Sequence, residues 1–177
     1  DELQQTYGSV AAAIAPHARV CVNAAEPLHP GIRQAMQAAG VREDQYRLFN
    51  HPANDVWCRD HGPVFVQGVE DGSLMLADWQ FNAWGGKFAP WDLDNGIPSL
   101  IGASLGLPVR SSSMVLEGGA IEGNGDGLLV TTESVLLNPN RNPTRSREEI
   151  EQYLADFLGA KQALWLAQGI EGDDTDG

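Results

Sequence analysis

One short pattern of residues occurs twice in the chain and constrains its fold more than any other feature. An acid with glycine close behind it precedes two candidate strands joined by an Asp-Gly turn, first after Asp60 and again after Glu117. Asp-Gly pairs supply the positive-φ backbone that a tight hairpin turn needs. The repetition predicts two copies of one unit, and equivalent acids of a repeated unit can meet at the centre of a ring.

The elements that follow each acid repeat in the same order. Each hairpin leads into a polar loop with Asn and Pro, then a helix, then a short strand after a glycine. The second helix has the clearest signals, because Ser146 and Glu149 have capping-box spacing and Gly159 is suited to a helix C-terminus. The first copy is predicted as strands 63–67 and 74–79, helix 97–105 and strand 107–109, and the second as strands 120–122 and 128–132 followed by its helix and strand.

Residues before and after these copies read as parts of further units. Upstream, helices over 3–15 and 31–39 alternate with strands over 19–23 and 46–49. We interpret 1–177 as a single incomplete domain, and its final acids and glycines resemble the opening of another unit. The chain is therefore expected to be a piece of a longer circular array. Its approximate units are 1–53 (partial), 54–113, 114–171 and the start of the next at 172–177.

Charge and composition exclude several classes of partner. The net charge of −13 argues against nucleic acid and anionic membranes, and favours a small cationic ligand, although acids also serve simply to keep a surface solvated. No apolar run approaches the roughly 20 residues of a membrane-spanning helix. Cys21 and Cys58 are too few for a disulfide framework, and the four His lack metal-ligand spacing. We expect a cytoplasmic protein without metal or cofactor.

Asp60 and Glu117 are the best candidates for chemistry. A carboxylate beside an aromatic, as Asp60 is to Trp57, can hold the planar fork of a guanidinium while the ring packs on its face. Asp60 could equally cap a turn or pair with Arg59, and Trp57 could belong to the core. Glu117 lies between an apolar residue and two glycines, where its charge would need a partner or would bond to loop amides.

Two other groups of residues carry weaker signals. The acids of Gly172–Gly177 could form a solvated loop or a calcium-like cluster, although the glutamate of a calcium-binding loop is missing. Cys58 and His61 lie three residues apart beside a turn, and we reject them as a nucleophile and base because the fold, not sequence proximity, sets such pairs. No serine nucleophile motif, phosphate loop or dinucleotide fingerprint is present.

These residues resemble the agmatine deiminases, within the guanidino-group-modifying superfamily that includes bacterial-type peptidylarginine deiminases and arginine deiminase. The resemblance implies the pentein fold, an α/β propeller of five strand-strand-helix-strand units, of which about two are complete in this chain. The Phe-Asn-Ala-Trp-Gly-Gly and Gly-Asp-Asp-Thr-Asp-Gly stretches favour the agmatine branch. The segments that carry the family resemblance are 54–66, 78–86, 91–94, 116–125, 138–143 and 172–177.

The resemblance also implies a reaction and roles for residues. Agmatine would be hydrolysed to N-carbamoylputrescine and ammonia through a covalent cysteine thiouronium intermediate, a step towards putrescine and the polyamines, in an enzyme that could be a homo-oligomer. Asp60 would grip the guanidinium nitrogens, and Glu117 would be the second acid, near the reacting group and the catalytic histidine. Trp57 would form a wall of the pocket, and Asp174 would help to bind the substrate.

The family pattern extends beyond these 177 residues. Its catalytic histidine directly follows the motif that ends at Gly177, an aspartate comes two residues later, and its cysteine lies near the C-terminus; neither Cys21 nor Cys58 matches it. We therefore expect residues 1–177 to be inactive alone. Two alternatives stay open: a deiminase or amidinotransferase acting on arginine or peptidyl-arginine, and a non-catalytic pentein module that binds a partner.

Overall fold

The chain divides into two units, Asp1–Ala53 and Asn54–Gly177, in a computed structural model that describes residues 2–177. Helices and strands alternate in both units, which places the protein in the mixed α/β class. Of the helices between residues 2 and 177, none is both long and apolar enough to cross a membrane.

The first unit contains two parallel strands and two helices. Helix α1 spans Glu2–Ile14, strand β1 Val20–Ala24, helix α2 His29–Ala38 and strand β2 Tyr46–Asn50, with 3₁₀ turns at Glu26–Leu28 and Glu43–Gln45. The strands pair in parallel, with Val20 opposite Tyr46, because α2 returns the chain to the start of the sheet. Their shared core contains Ala11, Met36, Val41 and Tyr46.

The second unit contains two three-stranded sheets with the same order of elements. Before the first sheet, α3 covers Cys58–His61; the sheet consists of β3 (Val64–Gln67), β4 (Leu74–Gln80) and β5 (Val109–Val115), with α4 (Ala83–Gly86) and α5 (Asp92–Leu105) between β4 and β5. The second sheet follows a 3₁₀ turn at Gly118–Ala120 and consists of β6 (Ile121–Gly123), β7 (Leu128–Thr132) and β8 (Gln162–Leu166), with α6 (Glu133–Leu136) and α7 (Arg147–Leu158) between β7 and β8.

Strand pairing confirms the two hairpins expected from the sequence. In each sheet the first two strands are antiparallel and the third joins the middle strand in parallel. Val64 lies opposite Ala77 in one hairpin, and Ile121 lies opposite Thr131 in the other. The helices between the second and third strands supply the crossover that a parallel pair requires.

A single apolar cluster underlies both sheets of the second unit. Its buried members come from the β4 and β5 region, from β6 and from α6 and α7: Ala77, Trp79, Met114, Leu116, Ile121, Val135, Leu136, Ile150 and Leu154. Helix α7 enters this core as its sequence predicts, because the Ser146–Glu149 capping box forms and Gly159 ends the helix with φ 69°.

Two predicted boundaries were wrong. Helix α5 begins at Asp92 and not at residue 97, because the Asn54 side-chain oxygen accepts the N–H groups of Leu93 and Asp94, 2.9 and 3.3 Å away. This cap comes from about 40 residues upstream, so the local sequence does not reveal it. Strand β5 runs over Val109–Val115 and not 107–109, because its polar residues find partners, among them Ser111, which donates to Asp78 Oδ2 at 2.9 Å.

Candidate functional site

Asp60 and Glu117 line one pocket of about 330 Å³ in the unit Asn54–Gly177. Each acid directly precedes one of the two repeated hairpins, so the repeat brings equivalent acids together. Other residues around the pocket include Trp84, Gly119, Arg141, Asp173, Thr175 and Gly177.

Asp60 is positioned by a close approach between α3 and the turn after Glu117. The backbone N–H of Gly119 donates to Asp60 Oδ1 at 2.9 Å. A Cβ atom on Gly119 would overlap that oxygen, and one on Gly118 would overlap the carbonyl oxygen of Arg59. Gly118 is therefore required for α3 to lie against this turn, and Gly119 is required for the Asp60 carboxylate to bind there.

The segment before α3 is tied to α5 by a reciprocal exchange of hydrogen bonds. Asn54 caps the first turn of α5, and the buried carboxylate of Asp94 accepts the backbone N–H groups of Asn54 and Asp55 at 2.7 and 3.1 Å. This exchange fixes the start of the loop that carries Asp60. It also explains why a carboxylate can be buried at Asp94, since its charge is met by N–H donors.

Trp84 reaches the pocket from a left-handed turn. All four residues of α4 have positive φ, with 52° at Ala83, 55° at Trp84 and 80° at both Gly85 and Gly86. Left-handed backbone costs about 1–2 kcal/mol for a residue with a Cβ atom, so the surroundings must hold it. Asn82 contributes, because its side-chain oxygen accepts the N–H of Gly85 at 2.9 Å.

The left-handed turn places the buried Trp84 indole beside Asp60. Burial raises the pKa of Asp60, and hydrogen bonds from the Gly119 N–H and the Trp84 side chain oppose that rise. Trp84 also packs edge-on against Phe81, with ring centroids 5.2 Å apart. A carboxylate beside an aromatic was expected here, but the aromatic is 24 residues away in sequence.

Glu117 is buried, and one of its two oxygens is bound. Arg141 Nε donates to Oε1 at 2.8 Å, and both side chains are almost fully shielded from solvent. Oε2 has no hydrogen-bond partner among residues 2–177. Burial raises the pKa of Glu117, the Arg141 guanidinium lowers it, and the charge of Asp60 raises it further.

Asp176 links two cations at the edge of the pocket. Its Oδ1 pairs with Lys87 Nζ at 2.7 Å and its Oδ2 with Arg141 Nη1 at 2.5 Å, while Asn140 Nδ2 donates at 3.2 Å. Burial works to raise the pKa of Asp176, but the bonds from Lys87, Arg141 and Asn140 lower it to about 2. Both oxygens of Asp176 are therefore occupied by side chains of the protein, although Asp176 belongs to the acidic motif 172–177.

The structure separates the predicted residues into two groups. Asp60 and Glu117 share the pocket, whereas the Trp57 side chain is 61% exposed and is not among the lining residues. Asp174 is also exposed and does not line the pocket; its carbonyl oxygen accepts from Lys87 Nζ at 2.5 Å. Their roles in substrate binding stay predictions.

Sequence reasoning missed Trp84, Arg141 and Asp176 as members of the site. Arg141 and Asp176 carried a weak signal, since both lie in the polar segments that resemble the family. Trp84 also lies in such a segment, 78–86, but no local signal indicated its left-handed backbone, because that conformation is disfavoured for residues with a Cβ atom. Cys58 is exposed and His61 is buried on α3, and neither lines the pocket.

No group of three potential ligand side chains suited to a metal ion occurs within the described range 2–177. The carboxylates that line the pocket instead accept hydrogen bonds from backbone N–H groups, from the Thr175 hydroxyl or from Arg141, and Glu117 Oε2 accepts none from residues 2–177. Asp60 forms no ion pair with any residue from 2 to 177. The pocket thus presents carboxylate oxygens that still lack a cation.

Comparison with known proteins identifies the family. A sequence model of the Porphyromonas-type peptidyl-arginine deiminases matches residues 1–177. The chain belongs to this family. Its fold is that of solved members, since the agmatine deiminase of Enterococcus faecalis superposes with a TM-score of 0.89 at 33% identity, over 100% of this chain and 48% of that one.

Two further agmatine deiminases match this chain with similar identity and coverage. The agmatine deiminase of Pseudomonas syringae pv. tomato is 38% identical over 180 residues, covering 98% of this chain and 47% of its own. A cysteine-to-serine variant of C. jejuni agmatine deiminase, solved with substrate bound, has a TM-score of 0.85 at 32% identity over 99% of this chain and 50% of that one. The chain spans about half the length of the curated relatives it matches.

Proposed function

We propose that the protein hydrolyses agmatine to N-carbamoylputrescine and ammonia. One observation carries this proposal: Asp60 and Glu117 line the same pocket, and each retains carboxylate oxygen that no cation in residues 2–177 binds. A guanidinium is planar and offers paired N–H donors, so it matches two converging carboxylates better than a compact ammonium would.

The pocket wall supports the same choice of ligand. Trp84 lies beside Asp60, and an aromatic face next to a carboxylate stabilises a flat cation through its ring quadrupole. Asp173 and Glu122 add negative charge around the pocket. Both are suited to attracting the second positive charge of agmatine at its amino end.

The chemistry follows the family's covalent route. A cysteine thiolate attacks the guanidinium carbon, ammonia leaves with a proton from a histidine, and water then attacks the thiouronium carbon and breaks the C–S bond. Asp60 and Glu117 would hold the guanidinium during these steps and stabilise the charge that develops. Neither cysteine nor histidine lines the pocket in the described part of the chain.

We further infer that the two sheets of Asn54–Gly177 are successive units of a five-unit propeller. The support is their shared order of two antiparallel strands, helices and a parallel strand, with an acid before each hairpin. Acids at equivalent points would then face the axis, and the pocket that they line would lie there. The reaction would take place at the centre of that ring.

Arginine and peptidyl-arginine are the second candidate substrates, because the matching family model is that of peptidyl-arginine deiminases. They share the guanidinium of agmatine but differ at the other end, where each carries a carboxylate or a peptide bond. Such groups would lie near Asp173 and Glu122, whose charges disfavour a carboxylate. This repulsion favours agmatine over free arginine.

The test measures ammonia release by the intact protein, including any residues outside these 177, with agmatine, arginine and a peptidyl-arginine as substrates. Asp60→Asn keeps an acceptor for the Gly119 N–H but removes the charge, so kcat/KM should fall by about 100-fold or more. Asp126→Asn is the control, because Asp126 is exposed and pairs only with Lys161. An intact protein that releases no ammonia from agmatine contradicts the proposal.

A further inference from the structure

Arg141 is a guanidinium that the protein holds inside itself, next to the pocket proposed to bind another guanidinium. Its side chain is fully shielded from solvent. Its donors reach four acceptors: Glu117 Oε1 at 2.8 Å, Asn140 Oδ1 at 2.9 Å, Asp176 Oδ2 at 2.5 Å and the Thr175 carbonyl oxygen at 2.8 Å. A buried charge with this many partners is held in one orientation.

The bond from Arg141 makes the two oxygens of Glu117 unequal. Oε1 is bound by Arg141 Nε, while Oε2 is buried and has no partner within residues 2–177. An unpaired oxygen of a buried carboxylate is costly unless a ligand satisfies it. The fixed Oε1 therefore determines where Oε2 points.

Arg141 also joins Glu117 to the segment at residues 173–177. The same guanidinium binds the Thr175 carbonyl and the Asp176 carboxylate, and both Thr175 and Gly177 line the pocket. Gly85 contributes to this arrangement, because a Cβ atom there would overlap the Asn140 side-chain amide and would lie 2.7 Å from Arg141 Nη1. The left-handed turn can approach the guanidinium only because glycine occupies that position.

We propose that Arg141 is a positioning residue, which fixes one oxygen of Glu117 so that the other is presented to the guanidine ligand, and which holds residues 173–177 at the pocket edge. This proposal rests on the proposed function, since it assigns Glu117 to ligand binding. A lysine at position 141 could supply charge but not the planar fork that reaches Glu117, Asp176 and Thr175 together.

The charges around Glu117 define how the proposal depends on pH. Burial raises the pKa of Glu117, the Arg141 guanidinium lowers it, and Asp60 raises it. Asp173 and Glu122 also line the pocket, while Asp176 and Lys87 lie behind Arg141. Arg59 on α3 also lies near this turn, where its Nη2 donates to the Ile121 carbonyl oxygen at 3.4 Å. Without Arg141, Glu117 would lose the guanidinium that lowers its pKa, so Glu117 would become protonated at higher pH.

The experiment compares Arg141→Met, which is similar in length but uncharged, with Arg141→Lys and the wild type in the intact protein. Arg145→Met is the matched control, because Arg145 lies four residues away but packs over the Tyr153 ring at 4.4 Å and is not among the pocket-lining residues. Two quantities are measured across pH: kcat/KM for agmatine, and the infrared carboxyl band of Glu117, assigned by its loss in Glu117→Gln.

We expect Arg141→Met to lower kcat/KM by about 100-fold at neutral pH, to move the acid limb of the profile to higher pH, and to move the Glu117 band in the same direction. Arg141→Lys keeps a positive charge, so its acid limb and Glu117 band should lie closer to the wild-type pH than those of Arg141→Met. Its kcat/KM should remain well below that of the wild type. Arg145→Met should match the wild type in both quantities.

Three results would overturn or redirect these conclusions. A folded Arg141→Met with a wild-type acid limb and Glu117 band would overturn the positioning role. If Arg141→Met does not fold, Arg141→Lys decides, because full wild-type rate and profile in it would equally contradict a need for the fork. A wild type that is inert towards agmatine would refute the proposed function, while the infrared titration would still decide the role of Arg141.

Discussion

At the scale of single residues, the pocket contains a partly buried carboxylate, Asp60, whose charge is not paired with a cation of residues 2–177 and therefore lowers the stability of the fold. Asp60 is half-buried and forms no ion pair with residues 2–177, and its neighbours Gly119 and Trp84 offer neutral donors. Burial accordingly raises the pKa of Asp60, with these donors and the nearby His61 and Arg59 opposing the rise. A carboxylate in that state binds a cation more tightly because it begins without one.

This state predicts that Asp60→Asn is at least as stable as the wild type, although its kcat/KM for agmatine falls by about 100-fold or more. Asparagine can still accept the Gly119 N–H, and it removes a charge that folding desolvates. We expect a gain of about 0.5–1 kcal/mol in the free energy of unfolding near neutral pH, measured by chemical denaturation of the intact protein. Destabilisation by the substitution would mean that the charge has a structural role.

The pH dependence of that gain follows from the raised pKa of Asp60. A group whose pKa is higher in the folded state stabilises the protein when protonated, and this stabilisation is lost as pH rises through the folded pKa. The advantage of Asp60→Asn should therefore be largest near neutral pH and should shrink as pH falls. The exposed Asp126→Asn should show neither the gain nor this trend.

At the scale of elements, the two hairpins and α7 were predictable because their signals are local. Asp-Gly turns, alternating apolar residues and the Ser146–Glu149 capping box each act within a few residues. The start of α5 was not predictable, since its cap is Asn54, about 40 residues upstream. The left-handed turn at Ala83–Gly86 was not predictable either, because contacts with Asn82 and Asn140 hold it against its own propensity.

The same distinction applies to the site. Asp60 and Glu117 were identified because they hold equivalent places in a repeat that the sequence displays. The neighbouring aromatic was assigned to Trp57, which is close in sequence, whereas Trp84 lies beside Asp60 in space. Arg141 was missed because nothing in a polar Asn- and Pro-containing loop shows that an arginine is buried there.

The close approach of α3 to the turn after Glu117 gives a prediction at this scale. Gly119→Ala would place a Cβ atom against Asp60 Oδ1, so the Asp60 carboxylate must move and its bond from the Gly119 N–H must lengthen or break. We expect a loss of about 1–3 kcal/mol in stability. We also expect a fall of about 10-fold or more in kcat/KM for agmatine, since small displacements of a binding group reduce rates strongly.

Gly96→Ala is the matched control for this prediction. Gly96 lies inside α5 and a Cβ atom there would meet nothing within 4 Å. Alanine should stabilise the helix by about 0.5–1 kcal/mol and leave kcat/KM unchanged. If Gly119→Ala behaves like Gly96→Ala in both measurements, the two glycines after Glu117 do not position Asp60.

At the scale of the whole molecule, the net charge of −13 and the acids of the pocket act in the same direction. A field of one sign draws oppositely charged ligands towards a cleft and raises the rate at which they are captured. Surface charges lose this influence as salt shortens the screening length, whereas contacts inside the pocket are screened less. Ionic strength can therefore separate the two contributions.

We predict that kcat/KM for agmatine falls several-fold as ionic strength rises from about 0.01 to 1 M, over which the screening length shortens from about 30 to 3 Å. Most of the change should occur in KM, because the screened attraction acts on capture. Arginine is the control substrate: it has the same guanidinium but a net charge of one, so its salt dependence should be weaker. Equal dependence for both would mean that the second positive charge of agmatine does not contribute to its capture, which would contradict long-range attraction by the acids.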